Sequence, residues 1–228
     1  MGPRRATLLL AALVIGRAGS VSAQDAFDIF GAQCLETELH DCRVLSAGVI
    51  NSDEGAAEPL LAWQTQAGFT PEAGVLGGFV LFTHESGAWR PFDAGFDGYR
   101  FSPPQLNEMG LLHIAGYTGG TGAYNADRLY QWGDLGHAVY REGWRRIDME
   151  AWLDTLGAFL PAGLEVWKGV QYSIDRWSDG VVARTPLWRP DDANCCATGG
   201  SALITFTIAD DRLVIARVTY IPPEKPGD

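Results

Sequence analysis

Four cysteines carry the most definite chemistry in the chain: Cys34 and Cys42 near one end, and the adjacent Cys195 and Cys196 near the other. In an oxidising compartment such residues form disulfides in preference to nucleophiles or zinc ligands. Four cysteines permit three pairings. The local one joins Cys34 to Cys42 and closes a vicinal ring between Cys195 and Cys196; the others staple both N-terminal cysteines to the Cys195-Cys196 turn. The local arrangement is favoured. A reactive thiol is not expected, because no histidine near Cys195 or Cys196 in sequence would lower a thiol pKa.

Flat rings are the second chemical resource. The eight tryptophans suit stacking on sugars, but large aromatic side chains more often fill cores. Trp63, Trp132 and Trp167 lie inside apolar strand patterns and are expected in the core, whereas Trp177 sits in a polar turn and is expected to be exposed. The segment from Gly116 through Tyr117 to Gly122 has no Gly-Lys-Ser/Thr ending and no third glycine of a dinucleotide fingerprint, so it is not a phosphate cradle. Its glycines fit a wide turn beside Tyr124 and Asn125. Trp177, Tyr117, Tyr124 and Asn125 are therefore the candidate ligand-binding residues.

Metal and catalytic signatures are weak. His40, His84, His113 and His137 have no spacing that would place two on one helical face. Asp93-x3-Asp97-Gly98 and Asp175-x3-Asp179-Gly180 match three positions of a calcium loop. Both hold the wrong residue at the third position, Gly95 and Trp177, and Pro104 and Pro186 replace the bidentate Glu. Both read as turns, and no metal or cofactor is expected. Ser86 lacks the glycines of a nucleophile elbow. With 28 acidic residues no particular carboxylate pair can be singled out for glycoside hydrolysis. Asp148 and Glu150 are better explained as a helix cap and a first-turn acid. No catalytic residue is assigned, and function by binding is expected.

These residues must be held by strands. Val44 to Ile50, Leu60 to Gln66, Phe79 to Thr83, Leu111 to Tyr117, Arg128 to Trp132, Leu164 to Val170, Leu203 to Ile208 and Leu213 to Tyr220 are short, apolar or alternating runs, most of them bounded by Gly, Asp or Pro. This spacing predicts a mainly β protein, an antiparallel β-sandwich-like domain. One covering helix is expected where Met149, Trp152, Leu153, Leu156 and Leu160 recur at helical spacing after Asp148, and short helices at Asp25 to Phe30 and Pro104 to Met109. A three-fold echo, Trp89-Arg90 to Asp93, Trp144-Arg145 to Asp148 and Trp188-Arg189 to Asp191, raises a small propeller as the alternative. The plainer reading makes each tryptophan a core residue whose indole N–H is satisfied nearby.

Residues 1–23 read as a signal peptide, with Arg4 and Arg5 ahead of an apolar run from Leu8 to Ile15 and small residues at Val21-Ser22-Ala23. Residues 24–228 are expected to form a single domain in the periplasm or outside the cell, without a stable membrane anchor, because the run is too short to span a bilayer. Export removes Arg4, Arg5 and Arg17 from the 17 basic residues, leaving 14 against 28 acidic ones and a net charge of −14. That balance disfavours nucleic acid and points to a non-catalytic binding module for a cationic protein partner, with a cell-wall glycan-binding domain or glycan hydrolase, or a structural envelope role, as alternatives. The oligomeric state is open.

Asp192-Ala193-Asn194-Cys195-Cys196-Ala197-Thr198-Gly199-Gly200, followed by the hairpin from Leu203 to Tyr220, resembles the Asn-Cys-Cys-Pro-Ser-Gly-Gly turn and final hairpin of uncharacterised bacterial envelope proteins, including the LppP/LprE lipoprotein type. Ala197 stands where proline is usual, and no lipidated cysteine follows the leader. The resemblance implies an envelope location and no catalytic residue.

Overall fold

The computed structural model describes residues 29–50, 61–85, 88–120, 124–135, 142–178 and 180–224. The leader at residues 1–23, Ser86 and His137 lie outside them. The described chain is mainly β and sandwich-like, its named strands pair antiparallel, and it forms neither a closed barrel nor a closed propeller.

Three four-stranded sheets follow one another along the chain. The first is a meander of β1 (His40–Ile50), β2 (Leu61–Thr70), β3 (Gly74–Glu85) and β4 (Ala88–Gly98). A two-stranded ribbon pairs β5 (Arg100–Phe101) with β8 (Gly116–Tyr117). The second sheet runs in the order β10-β9-β7-β6, from β6 (Gln105–Leu106), β7 (Leu111–Ile114), β9 (Arg128–Asp134) and β10 (Glu142–Ile147). The third is a meander of β11 (Gln171–Ile174), β12 (Val181–Pro186), β13 (Ser201–Ala209) and β14 (Arg212–Ile221).

The second sheet is central, because its two faces feed different cores. Leu111, Leu129 and Ile147 pack with Val181, Ala183, Ile204, Phe206 and Leu213 of the third sheet. Their neighbours Leu112, Ile114, Tyr130 and Trp144 pack with Leu61, Phe79 and Leu81 of the first. Side chains alternate across a strand, so a strand covered on both sides reads as an unbroken apolar run. Leu111-Leu112-His113-Ile114 comes close to such a run, interrupted only by His113, and all four residues are buried.

The other face of the first sheet is covered by the segment before β1. Phe30 packs with Ala62, Val80 and Phe82. Two buried glutamines on β2 satisfy its backbone: Gln64 Nε2 donates to Phe30 O and Gln33 O, Gln64 Oε1 accepts from Leu35 N, and Gln66 Nε2 donates to Leu35 O. The Cys34–Cys42 disulfide closes this segment onto the start of β1. Cys195 and Cys196 form the second bridge, so the local pairing is the one present.

Several expectations are corrected. The helix after Asp148 is a single turn, α1 (Leu153–Leu156). Asp148 Oδ1 does accept from Glu150 N and Ala151 N, but Met149, Trp152 and Leu156 are drawn into the core beside the third sheet, which leaves little face for a longer helix. No helix spans Pro104 to Met109; Gln105 and Leu106 pair with β7 instead. Leu164 to Val170 is not a strand, although Glu165 makes an isolated bridge to Trp188. Asp93 and Asp97 lie within β4 and not in a turn. Among the described residues no helix is long and apolar enough to cross a membrane.

The Trp-Arg echo marks how one sheet is tied to the next. Asp93 accepts the Tyr130 hydroxyl of the central sheet at 2.7 Å. Burial, then the Asp93 carboxylate, pushes that phenol well above its ordinary pKa and keeps it a donor. Asp148 exchanges backbone hydrogen bonds with Asp211 and Leu213 at the β13–β14 hairpin. The echo's tryptophans are buried or half-buried, but the indole N–H groups of Trp89, Trp144 and Trp188 find no acceptor among the described residues. Ring contacts surround them instead, such as Trp132 at 5.4 Å from Trp144.

Burial of both central faces makes a specific prediction. Leu111→Ala and Leu112→Ala should each cost about 2–5 kcal/mol of stability in chemical denaturation. A solvated face on either side would leave one of the two nearly neutral.

Candidate functional site

The central sheet stops being sealed where the chain leaves Ile114 and before it returns at Arg128. There the ribbon β5–β8, the Tyr124-Asn125 segment and the start of β11 enclose an open cleft of about 360 Å³. Its walls include Ser102, Tyr117, Tyr124, Asn125, Gln171 and Tyr172, with backbone at Gly116 and Gly169.

Each wall has a local cause. Gly116 is buried where a Cβ would lie 2.5 Å from the Phe101 ring, so only glycine lets β8 pair against β5. Tyr117 bridges Asn125, Thr118 N donates to Tyr124 O at 2.9 Å, and Tyr124 N donates to Thr118 Oγ1 at 2.7 Å. These bonds return the chain beside itself and present both tyrosine rings, each about half exposed, at one rim. Gly169, with φ of 73°, turns the opposite wall in a conformation that a side chain resists.

Asn125 joins the walls. Its Oδ1 accepts from Val170 N at 3.0 Å and its Nδ2 donates to Val170 O at 2.5 Å, reproducing the two bonds of a strand pair. The same amide donates to Asp127 Oδ2 at 2.8 Å, and Asp127 Oδ1 meets His113 Nε2 at 2.8 Å. A carboxylate oxygen accepts, so Nε2 is the donor in this contact. Asp127 and His113 have side chains only 6% and 3% exposed, which makes them a buried support and not a reacting pair open to substrate. Deeper in the wall, the Tyr172 hydroxyl donates to Met149 O at 3.0 Å and accepts from Trp152 Nε1 at 3.1 Å. Burial, the largest influence, raises its pKa, so the Tyr172 hydroxyl stays protonated.

Aromatic surface continues past the rim. Trp167 Nε1 donates to the Tyr124 hydroxyl at 2.8 Å, and Trp167 meets Trp188 edge-on at 5.9 Å. Lys168 lies over both indoles, at 4.7 Å and 5.9 Å, and donates to Asn194 Oδ1 at 2.5 Å. On the other side Tyr99 faces Tyr117 at 6.4 Å. Tyr99, Tyr117, Tyr124 and Trp167 are all exposed by more than a third.

Of the residues singled out in the sequence, Tyr117, Tyr124 and Asn125 come together in this cleft. Trp177 is exposed as expected, at 68%, but it is stacked on Arg176 in the Asp175 turn and does not line the cleft. Trp167, expected in the core, is 38% exposed and extends the rim. Asp127, Gln171 and Tyr172 were not distinguishable in sequence, because nothing local marks the partner wall. A second, more polar groove holds Asp97, Asp148, Glu150 and Asp211. Arg128 grips Asp97 with two bonds of 2.6 and 2.8 Å, and Arg145 pairs with Asp211 at 2.8 Å, so much of this acidity is neutralised internally. Among the described residues no cluster of His, Cys, Asp and Glu could hold a metal ion.

Beside the aromatic rim, Asp192 fastens both ends of the Arg189–Thr198 loop. Its carboxylate accepts from Thr198 Oγ1, Arg189 N and Thr198 N at 2.6–2.8 Å. The Thr198 hydroxyl foremost, with the two backbone N–H groups, outweighs desolvation and holds the carboxyl below its ordinary pKa.

Two outcomes are expected. Asn125→Ala leaves both backbone groups of Val170 and one Asp127 oxygen without their partner and should cost about 2–3 kcal/mol in thermal or urea unfolding. Because the Asp192 pKa is depressed on folding, its contribution is complete above the ordinary aspartate pKa of about 3.9 and is lost as pH falls through the lower folded value. Amide exchange at Thr198 should therefore accelerate only below about pH 4, and Asp192→Asn should remove that pH dependence.

No protein-family model, curated protein or solved structure matches this chain.

Proposed function

We propose that this is an exported envelope protein that binds a neutral cell-wall glycan in the tyrosine cleft, without catalysis. The observation that carries the reading is the rim itself: exposed Tyr117, Tyr124 and Trp167 beside a cleft in which Asp127, the one carboxylate among its described lining residues, is buried and already paired. Aromatic faces stack on the C–H faces of sugar rings, while Ser102, Gln171 and backbone groups supply hydrogen bonds to hydroxyls. Reading the cleft as non-catalytic rests on that paired Asp127, since glycoside hydrolysis needs two carboxylates facing the scissile bond.

The cationic protein partner favoured by net charge draws less support, because Arg128 and Arg145 already occupy Asp97 and Asp211 in the acidic groove. The leader-like residues 1–23 and the resemblance of Asp192 to Gly200 to an envelope-protein turn support the location.

Calorimetric titration of the mature, oxidised protein with an N-acetylglucosamine tetramer and with soluble peptidoglycan fragments tests the proposal. Binding should change little between 0 and about 0.5 M salt, where the Debye length falls to a few ångströms. Tyr117→Ala and Tyr124→Ala should each weaken it by about five- to tenfold, the equivalent of one aromatic contact. Absence of binding to every neutral glycan, or binding abolished by salt, overturns it.

A further inference from the structure

We infer that the Cys195–Cys196 disulfide is a redox gate on the tyrosine cleft. This rests on the glycan-binding reading of that cleft. A continuous set of contacts leads from the vicinal ring to the rim. Asn194, next to Cys195 in a turn closed by Cys196 N donating to Ala193 O at 2.9 Å, accepts from Lys168 Nζ at 2.5 Å. Lys168 lies over Trp167 and Trp188, and Trp167 Nε1 holds the Tyr124 hydroxyl. The position of the turn is thus coupled to a ring that would touch the ligand.

Opening the disulfide would act on the tip of its loop and not on the fold. The ends are fastened independently, by the three bonds to Asp192 and by the exchange of backbone bonds between Leu187 and Gly199 and Gly200. The ring between adjacent cysteines locks the peptide torsions at residues 195 and 196; once open, the turn regains torsional freedom and Asn194 ceases to be fixed over Lys168. Both cysteines are exposed, whereas Cys34 and Cys42 are partly buried. An exposed disulfide is the accessible one to an attacking thiolate. The step is an exchange with a dithiol: one thiolate attacks a ring sulfur to give a mixed disulfide, and the second displaces it. The S–S bond of Cys195 and Cys196 is broken, two thiols form, and the dithiol leaves as its own disulfide, with two electrons and two protons passed to the protein.

The experiment uses Cys34→Ser/Cys42→Ser protein, in which the vicinal bridge is the only disulfide left, before and after treatment with dithiothreitol. Tryptophan emission and affinity for the N-acetylglucosamine tetramer are read together. Reduction should shift the emission and weaken binding by about fivefold, comparable to the loss of one hydrogen bond. Asn194→Ala with the bridge intact should reproduce both effects, and reduction of that variant should add nothing. Unchanged emission and affinity on reduction would overturn the gate, as would a full effect of reduction in Asn194→Ala. If neither redox form binds the tetramer, the glycan reading fails, while the emission change and its loss in Asn194→Ala still decide whether the turn is coupled to the rim.

Discussion

Double burial of the central sheet is the constraint on which the rest of the molecule depends. Leu111 and Leu112 are adjacent in sequence and belong to different cores, one shared with the third sheet and one with the first. Burying an apolar side chain contributes roughly 1.5–3 kcal/mol, and here nearly every central residue contributes on one side or the other. The outer sheets are held by facing it and by ties at the ends of successive meanders: Tyr130 to Asp93 on one side, Asp148 to the β13–β14 hairpin on the other. The cleft is what remains where this sheet ends. Beyond Ile114 Asn125 supplies a strand-like pair of hydrogen bonds to Val170, and among the described residues no central strand separates the ribbon from β11.

Much of this architecture is legible in sequence, for identifiable reasons. The final hairpin alternates apolar and polar residues around Asp210-Asp211, both at positive φ, as a tight two-residue turn between twisted strands demands. Leu111 to Ile114 reads as a strand, but its near-continuous apolar run, interrupted only by His113, also indicates burial on both faces, and that distinction separates a layered stack from a simple two-sheet sandwich. β4 and β10 escape notice because Trp89-Arg90-Pro91 and Trp144-Arg145-Arg146 carry charge and proline, which edge strands tolerate and isolated strand patterns do not. The periodic apolar residues after Asp148 look helical, yet Trp152 and Leu156 are anchored individually in the core and only one turn forms.

The site was half legible. Tyr117, Tyr124 and Asn125 stand out because a glycine-rich loop flanked by exposed-type residues is a local signal. Gln171 and Tyr172 come from a strand about 45 residues away, and only the Asn125–Val170 bonds bring them near. Trp167 reads as inward because it sits inside an apolar strand pattern; the chain there is irregular, and the ring turns outward to meet Tyr124. Net acidity also misleads at the level of the site, since arginines on the central sheet absorb carboxylates of the acidic groove. The described lining of the tyrosine cleft carries one charged side chain, the paired Asp127, on an acidic protein.

The most direct measurement is a map of backbone amide shifts in isotope-labelled, oxidised protein titrated with an N-acetylglucosamine tetramer. Shifts concentrated at residues 116–118, 124–127 and 169–172 are the predicted result. An unperturbed spectrum, or shifts centred on the Asp148-Glu150 groove or on Trp177, would contradict the account.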